Sequence, residues 1–143
     1  MENKKVLLIV EDDLALAKAL VGKFSSENFD LLEAKNGQEG LEMTLSKKPD
    51  LILLDIVMPR MDGISMLKEL RQDDWGKDVP VIILSNLADA QNKPEIIQEN
   101  VVDYLIKTDW SLEDIVKKVK SPCFMNRGLF CLSLARDDNV RNL

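Results

Sequence analysis

Histidine is absent from the 143 residues. That excludes Ser-His-Asp and Cys-His triads, imidazole zinc sites and any histidine phosphocarrier on this chain. Cysteine occurs twice, at Cys123 and Cys131, too few for a four-thiolate metal site and without a disulfide as the default in a reducing compartment. Aromatic residues are only 5% of the chain, and Trp75 and Trp110 read as packing residues rather than a cofactor box. No apolar run is long enough to span a bilayer, and the opening Met-Glu-Asn-Lys-Lys leads straight into a short apolar segment, unlike a signal peptide. Positive charge is in deficit, with 19 Lys and Arg against 25 Asp and Glu for a net −6. An acidic chain without a basic run is a poor candidate for direct nucleic-acid or anionic-membrane binding. Gly22-Lys23 lacks the upstream glycine of a P-loop, and no Gly-x-Gly-x-x-Gly occurs, so nucleotide binding has no support. A cytoplasmic chain is expected, with chemistry carried by carboxylates, hydroxyls, lysine or a borrowed cofactor.

What is present suffices for a core, at 45% hydrophobic and 31% charged residues. Five short apolar runs recur: Val6–Val10, Phe29–Ala34, Leu51–Leu54, Val81–Leu84 and Val102–Ile106. Four are nearly continuous, as strands buried on both faces are, whereas Phe29–Ala34 alternates and suits an edge. Between them apolar residues return at helical period, as in Leu14, Ala17, Leu20, Val21 and Phe24, or Leu112, Ile115, Val116 and Val119. Asn36 stands before a segment with Leu41 and Leu45, and Asp62 before Ile64, Leu67 and Leu70. Ser111 with Asp114 resembles a capping box. Pro94 marks a short fourth helical segment. Strict alternation predicts an α/β fold, (βα)5, with a doubly wound five-stranded parallel sheet and right-handed crossovers. Residues 1–120 form this domain. Residues 121–143 read as a tail, too short for a core of its own, with three arginines against two aspartates.

In open parallel sheets the ligand crevice lies beyond the carboxyl ends of the strands. Glu11, Asp12 and Asp13 follow the first run, Asp55 the third, Ser85 the fourth and Lys107 the fifth. Each has an ordinary reading: Asp13 and Ser85 as helix caps, Lys107 as a solvated surface charge. Asp55 is harder to dismiss, because a carboxylate closing the most apolar strand needs a partner. Jointly the set points to function. Clustered carboxylates stay ionised together only around a cation, and all-oxygen donors suit Mg2+ or Mn2+. A lysine and a hydroxyl beside them can hold a dianionic group such as a phosphoryl.

Val10-Glu11-Asp12-Asp13, Leu54-Asp55-Ile56-Val57-Met58-Pro59-Arg60-Met61-Asp62-Gly63, Leu84-Ser85-Asn86 and Asp103-Tyr104-Leu105-Ile106-Lys107 together resemble the response-regulator receiver domain of two-component signalling. The resemblance extends from Lys4 to about Lys120. It implies the flavodoxin-like strand order 2-1-3-4-5. It implies that Asp55 accepts a phosphoryl group from a histidine kinase or histidine phosphotransfer protein. Asp12, Asp55 and the Val57 carbonyl are the implied Mg2+ ligands, with Glu11 acting through water. Lys107 is the implied phosphoryl partner, Ser85 the switch hydroxyl and Tyr104 the aromatic that follows Ser85. The family's Lys-Pro at the end of the fifth strand is Lys107-Thr108 here. A cis non-proline bond costs ~2.5–4 kcal/mol, which favours a trans peptide and a reshaped loop.

The expected function is therefore a phosphoacceptor signalling protein, Mg2+-dependent, that presents an altered surface to a downstream protein partner. It assists its own phosphotransfer and dephosphorylation but is no dedicated enzyme, since nothing supplies a general base for an outside substrate. The alternative is a receiver-like binding module that works without phosphorylation.

Overall fold

The computed structural model describes residues 4–27, 29–56, 58, 60–85 and 101–120. Five strands, β1 (Lys5–Val10), β2 (Phe29–Ala34), β3 (Leu51–Leu54), β4 (Val81–Ser85) and β5 (Asp103–Ile106), form one sheet in the order β2-β1-β3-β4-β5. Every pairing is parallel. The α-helices among the described residues are α1 (Leu14–Ser25), α2 (Gly37–Lys47), α3 (Gly63–Arg71) and α4 (Leu112–Val119). The segment expected to turn helical at Pro94 and the tail from Ser121 lie outside the described residues.

Strand side chains alternate between faces, and the two cores follow that alternation. Leu8 and Val10, Ile52 and Leu54, and Val81 and Ile83 pack with Leu41, Met66, Leu67 and Leu70 of α2 and α3. Leu7 and Ile9, Leu51 and Leu53, and Ile82 and Leu84 pack with Leu20 and Phe24 of α1 and Ile115, Val116 and Val119 of α4. The continuous strands β1, β3 and β4 are thus covered on both sides, whereas β5, expected with them, is the other edge of the sheet and buries only Leu105, because Asp103 and Tyr104 carry polar groups there. The alternating β2 sits at the edge, as its pattern required. Phe24 meets Phe29 edge to face, ring centres 5.5 Å apart.

The helix starts are capped at the residues the sequence marked. Asp13 Oδ1 accepts from the amides of Ala15 and Leu16, Asn36 from Glu39, Asp62 from Ser65 and Ser111 from Asp114. Glu39 returns the bond in α2, its carboxylate accepting from Lys35 N at 2.9 Å.

Two residues of the expected helical stripes face solvent. Leu14 is 59% exposed, because it occupies the first helical position, before α1 has come down onto the sheet. Leu45 is 37% exposed, since the buried line of α2 runs through Gly37, Gly40, Leu41 and Thr44. Gly40 brings that line against Val10 and Met66. Thr44 satisfies its buried hydroxyl by donating to Gly40 O at 2.7 Å. No helix among the described residues is long and apolar enough to cross a membrane.

Candidate functional site

The carboxyl ends of four parallel strands meet on one rim. Glu11 follows β1, its amide donating to Ala34 O, and Asp55 follows β3, its amide donating to Val10 O, each at 3.0 Å. These bonds extend the sheet ladder one residue past the strands and fix where both carboxylates start. Ser85 is the last residue of β4, and Lys107 opens a 3-10 turn, Lys107–Asp109, after β5. The Lys107–Thr108 peptide is trans, as are all described peptides, and Thr108 is exposed.

The side chains converge. Lys107 Nζ lies 2.9 Å from Glu11 Oε1 and 3.4 Å from Asp55 Oδ2. One carboxylate oxygen each from Glu11, Asp12 and Asp55 falls within 4.8 Å of the others. Glu11 and Asp55 are 3% and 6% exposed, whereas Asp12 is open to solvent. Glu11 Oε2 accepts from Asp13 N at 3.2 Å and Asp55 Oδ1 from Ile56 N at 2.8 Å. Asp13 itself is turned to α1 as its cap and does not join the cluster.

Burial decides the protonation chemistry. It pushes Glu11 up to about 7, helped by the Asp55 charge and opposed by Lys107. Asp55 is also raised by burial, with the Lys107 charge and the Ile56 amide pulling the other way. For Lys107 burial acts downward, but its bond to Glu11 and the charges of Asp55 and Glu11 outweigh it and hold the ammonium protonated. When all three carboxylates are ionised, the one ammonium beside them leaves two negative charges uncompensated. An all-oxygen donor set with that deficit fits a hard divalent cation, Mg2+ or Mn2+, with water completing its shell. The residues present therefore fit the ion expected from the sequence. Val57, whose carbonyl was expected among the ligands, lies outside the described residues.

The hydroxyl pair follows from strand register. Tyr104 of β5 lies opposite Ile83 of β4, and Ile83 shares its face with Ser85, two residues on. The Tyr104 and Ser85 hydroxyls are hydrogen-bonded. Ser85 is 1% exposed, so its hydroxyl is buried at the end of β4 beside the aromatic. Burial raises the phenol above its usual range, against the Ser85 bond and together with the Asp55 charge. The β3–α3 loop also carries features that spacing did not announce. Arg60 adopts a left-handed conformation at φ 66°. Gly63 N donates to Ile56 O at 2.8 Å, and Gly37 N donates to Met61 O at 2.8 Å.

The sequence model of one family, the response regulator receiver domain, matches residues 7–120. The chain belongs to that family. Among curated relatives, a hybrid signal transduction histidine kinase D from Dictyostelium discoideum is 34% identical over 90% of this chain, a match covering 8% of that protein. A probable transcriptional regulator ycf27 from Guillardia theta is 33% identical over 75% of this chain and 41% of that protein. Against these first relatives the receiver thus spans less than half of their length. Among solved structures, a Francisella response regulator receiver domain superposes with a TM-score of 0.72 at 34% identity, covering 81% of this chain and 93% of that one.

Proposed function

We propose that this receiver is a Mg2+-dependent phosphoacceptor, with Asp55 taking a phosphoryl group from the phosphohistidine of a histidine kinase or histidine phosphotransfer protein. The observation that carries this reading is the buried pair Glu11 and Asp55 sharing the Lys107 ammonium, with Asp12 close enough to close a cation site. Asp12, Asp55 and the Val57 carbonyl would hold the cation directly and Glu11 through water. When bound, the cation neutralises charge on the phosphoryl in transfer.

Asp55 is an in-line nucleophile. One carboxylate oxygen attacks phosphorus, the P–N bond to the donor imidazole breaks, and that nitrogen keeps the electron pair and takes up a proton. Lys107, already within reach of Asp55 Oδ2, pairs with the phosphoryl oxygens. Ser85 turns its hydroxyl from Tyr104 toward the same group, which frees Tyr104 to change its packing. The surface around β5 and α4 then presents a different face to a downstream protein partner. The phosphoryl shifts that equilibrium only by binding one arrangement better than the other. A CheX–CheY–BeF3–Mg2+ complex from Borrelia burgdorferi, 28% identical with a TM-score of 0.72, supports this reading of the site.

On the same reading residues 1–120 are the receiver and 121–143 an appended tail. The chain works in the cytoplasm, contacts neither nucleic acid nor membrane directly, and serves as a signalling acceptor rather than a dedicated enzyme. The test is intact mass after incubation with acetyl phosphate and Mg2+. A single phosphoryl gain is expected, lost in Asp55→Ala and in chelator. Undiminished labelling of Asp55→Ala overturns the acceptor assignment. No gain with either acetyl phosphate or a purified kinase overturns phosphoacceptance and leaves a receiver-like binding module.

A further inference from the structure

The loop from Asp55 to Gly63 carries the reacting carboxylate at one end and the start of α3 at the other. Among its described residues two main-chain bonds tie it down. Gly63 N to Ile56 O, at 2.8 Å, is internal to the loop. Gly37 N to Met61 O, also 2.8 Å, comes from a different βα unit, across the seam between α2 and α3.

Both glycines sit where no side chain fits. A Cβ at Gly63 would overlap the Asp55 carbonyl, and a Cβ at Gly37 would overlap the Met61 carbonyl and crowd the Met61 side chain. Gly37 has no positive φ; among the described residues the positive φ values are those of Lys48 and Arg60. Its need for hydrogen at Cα is therefore one of space, not of backbone conformation. The residue before Met61 supplies a second, independent sign of constraint. Arg60 is left-handed at φ 66° although it is neither glycine nor asparagine, and such a residue persists only when its surroundings over-determine it. The Met61 carbonyl that accepts from the Gly37 amide belongs to the residue directly after that turn. On the α2 side the donor is itself fixed. Asn36 accepts from Glu39 N, and Glu39 accepts from Lys35 N, which locks the first turn of α2.

We propose that Gly37 is a positioning residue for the Asp55 loop, the β2–α2 turn acting as a fixed clamp that holds the loop's left-handed turn and with it the carboxylate geometry. Gly37 touches neither cation nor phosphoryl and acts through the Met61 carbonyl. The inference rests on the phosphoacceptor reading for one of its readouts, labelling, but not for the other, cation affinity.

The test compares full-length Gly37→Ala with Gly76→Ala. Gly76 also has no room for a Cβ, which would overlap the Leu70 carbonyl, but it lies past the far end of α3, where Asp73 and Arg71 organise the approach to β4. Both variants should lose thermal stability. Only Gly37→Ala should weaken Mg2+ binding by calorimetry and slow acetyl phosphate labelling, each by about ten-fold or more, since a misplacement of about 1 Å can cost a reaction about a hundred-fold. Equal Mg2+ affinity and labelling in the two variants overturns the inference.

Should Gly37→Ala fail to fold, Arg60→Val and Arg60→Gly carry the test. Arg60 is exposed, and both variants remove the same charge. Only valine resists the left-handed conformation. The valine variant is expected to bind Mg2+ and label several-fold more weakly than the glycine variant; parity between them overturns the inference. If the unaltered chain binds Mg2+ but takes no phosphoryl group, the phosphoacceptor reading fails, and the clamp stands or falls on the Mg2+ affinities.

Discussion

Glu11 is the residue where burial and charge compete most openly. Its carboxyl titrates at about 7 in the fold against 4.5 for the ordinary group, because burial disfavours the charge and Asp55 adds to that, while Lys107 resists. A group raised in the folded state binds its proton more tightly there than in the unfolded chain. Its contribution to stability is therefore fully present below pH 4.5 and is lost as pH rises through about 7. The size of the effect is on the order of 3 kcal/mol. In chelator, the stability difference between the wild type and Glu11→Gln, measured by urea unfolding, should shrink or reverse from pH 5 to pH 8. Parallel profiles would show that Glu11 does not titrate in that window. Mg2+ affinity has the opposite slope, since the cation needs the ionised cluster: it should climb with pH and level off above about 7. The residue types at this rim were legible from the strand ends, because a carboxylate, hydroxyl or lysine just past an apolar run has one place to go in a parallel sheet. Their division of labour was not. Asp13 is chemically identical to Asp12 but caps α1, and only the path of the chain after β1 separates the two.

At the scale of single elements, periodicity gives the inward side of a helix but not where the helix touches down. In α1, Leu14 and Leu20 belong to one stripe, yet Leu14 is 59% exposed and Leu20 1%. Leu14→Lys should change stability by no more than ~0.5 kcal/mol, whereas Leu20→Ala should cost ~2–5 kcal/mol. Thermal unfolding of the two variants checks both, and comparable losses would place Leu14 in the core. The same limit applies to α2, where Leu45 stands beside the buried line and Thr44 within it. Glycine explains that exchange. Gly40 lets α2 approach Val10 and Met66 closely, and one turn later the small Thr44 holds the buried position. Loop geometry was the least readable part. The bond from Gly37 to Met61 joins two main chains, and main-chain bonds across different βα units leave no spacing or polarity pattern in a sequence. The left-handed Arg60 is hidden for the same reason, since arginine is not a residue that announces that conformation.

For the molecule as a whole, the site and the core are one cooperative structure. Glu11 and Asp55 extend β1 and β3, the two strands at the centre of the β2-β1-β3-β4 run, and their amides are bonded into that sheet. A cation site that is built from the ends of central strands cannot persist once the sheet opens, so cation binding must add to global stability. Above the dissociation constant the gain is about 1.4 kcal/mol per ten-fold rise in Mg2+. Asp12 separates this linkage from ordinary packing. It is exposed, so Asp12→Ala should unfold in chelator within ~0.5 kcal/mol of the wild type. With Mg2+ present the variant should lag well behind, its stability rising only at much higher cation concentration, because one ligand of the cluster is gone. Two ion pairs provide the contrast, Lys23 of α1 with Glu113 of α4 and, just past the ends of the same helices, Lys120 with Glu27: they lie on the surface and are worth little. Removing Lys120 should leave the Mg2+ dependence unchanged. If Asp12→Ala followed the wild-type Mg2+ curve, Asp12 would not be a ligand, and the cation would be held without it.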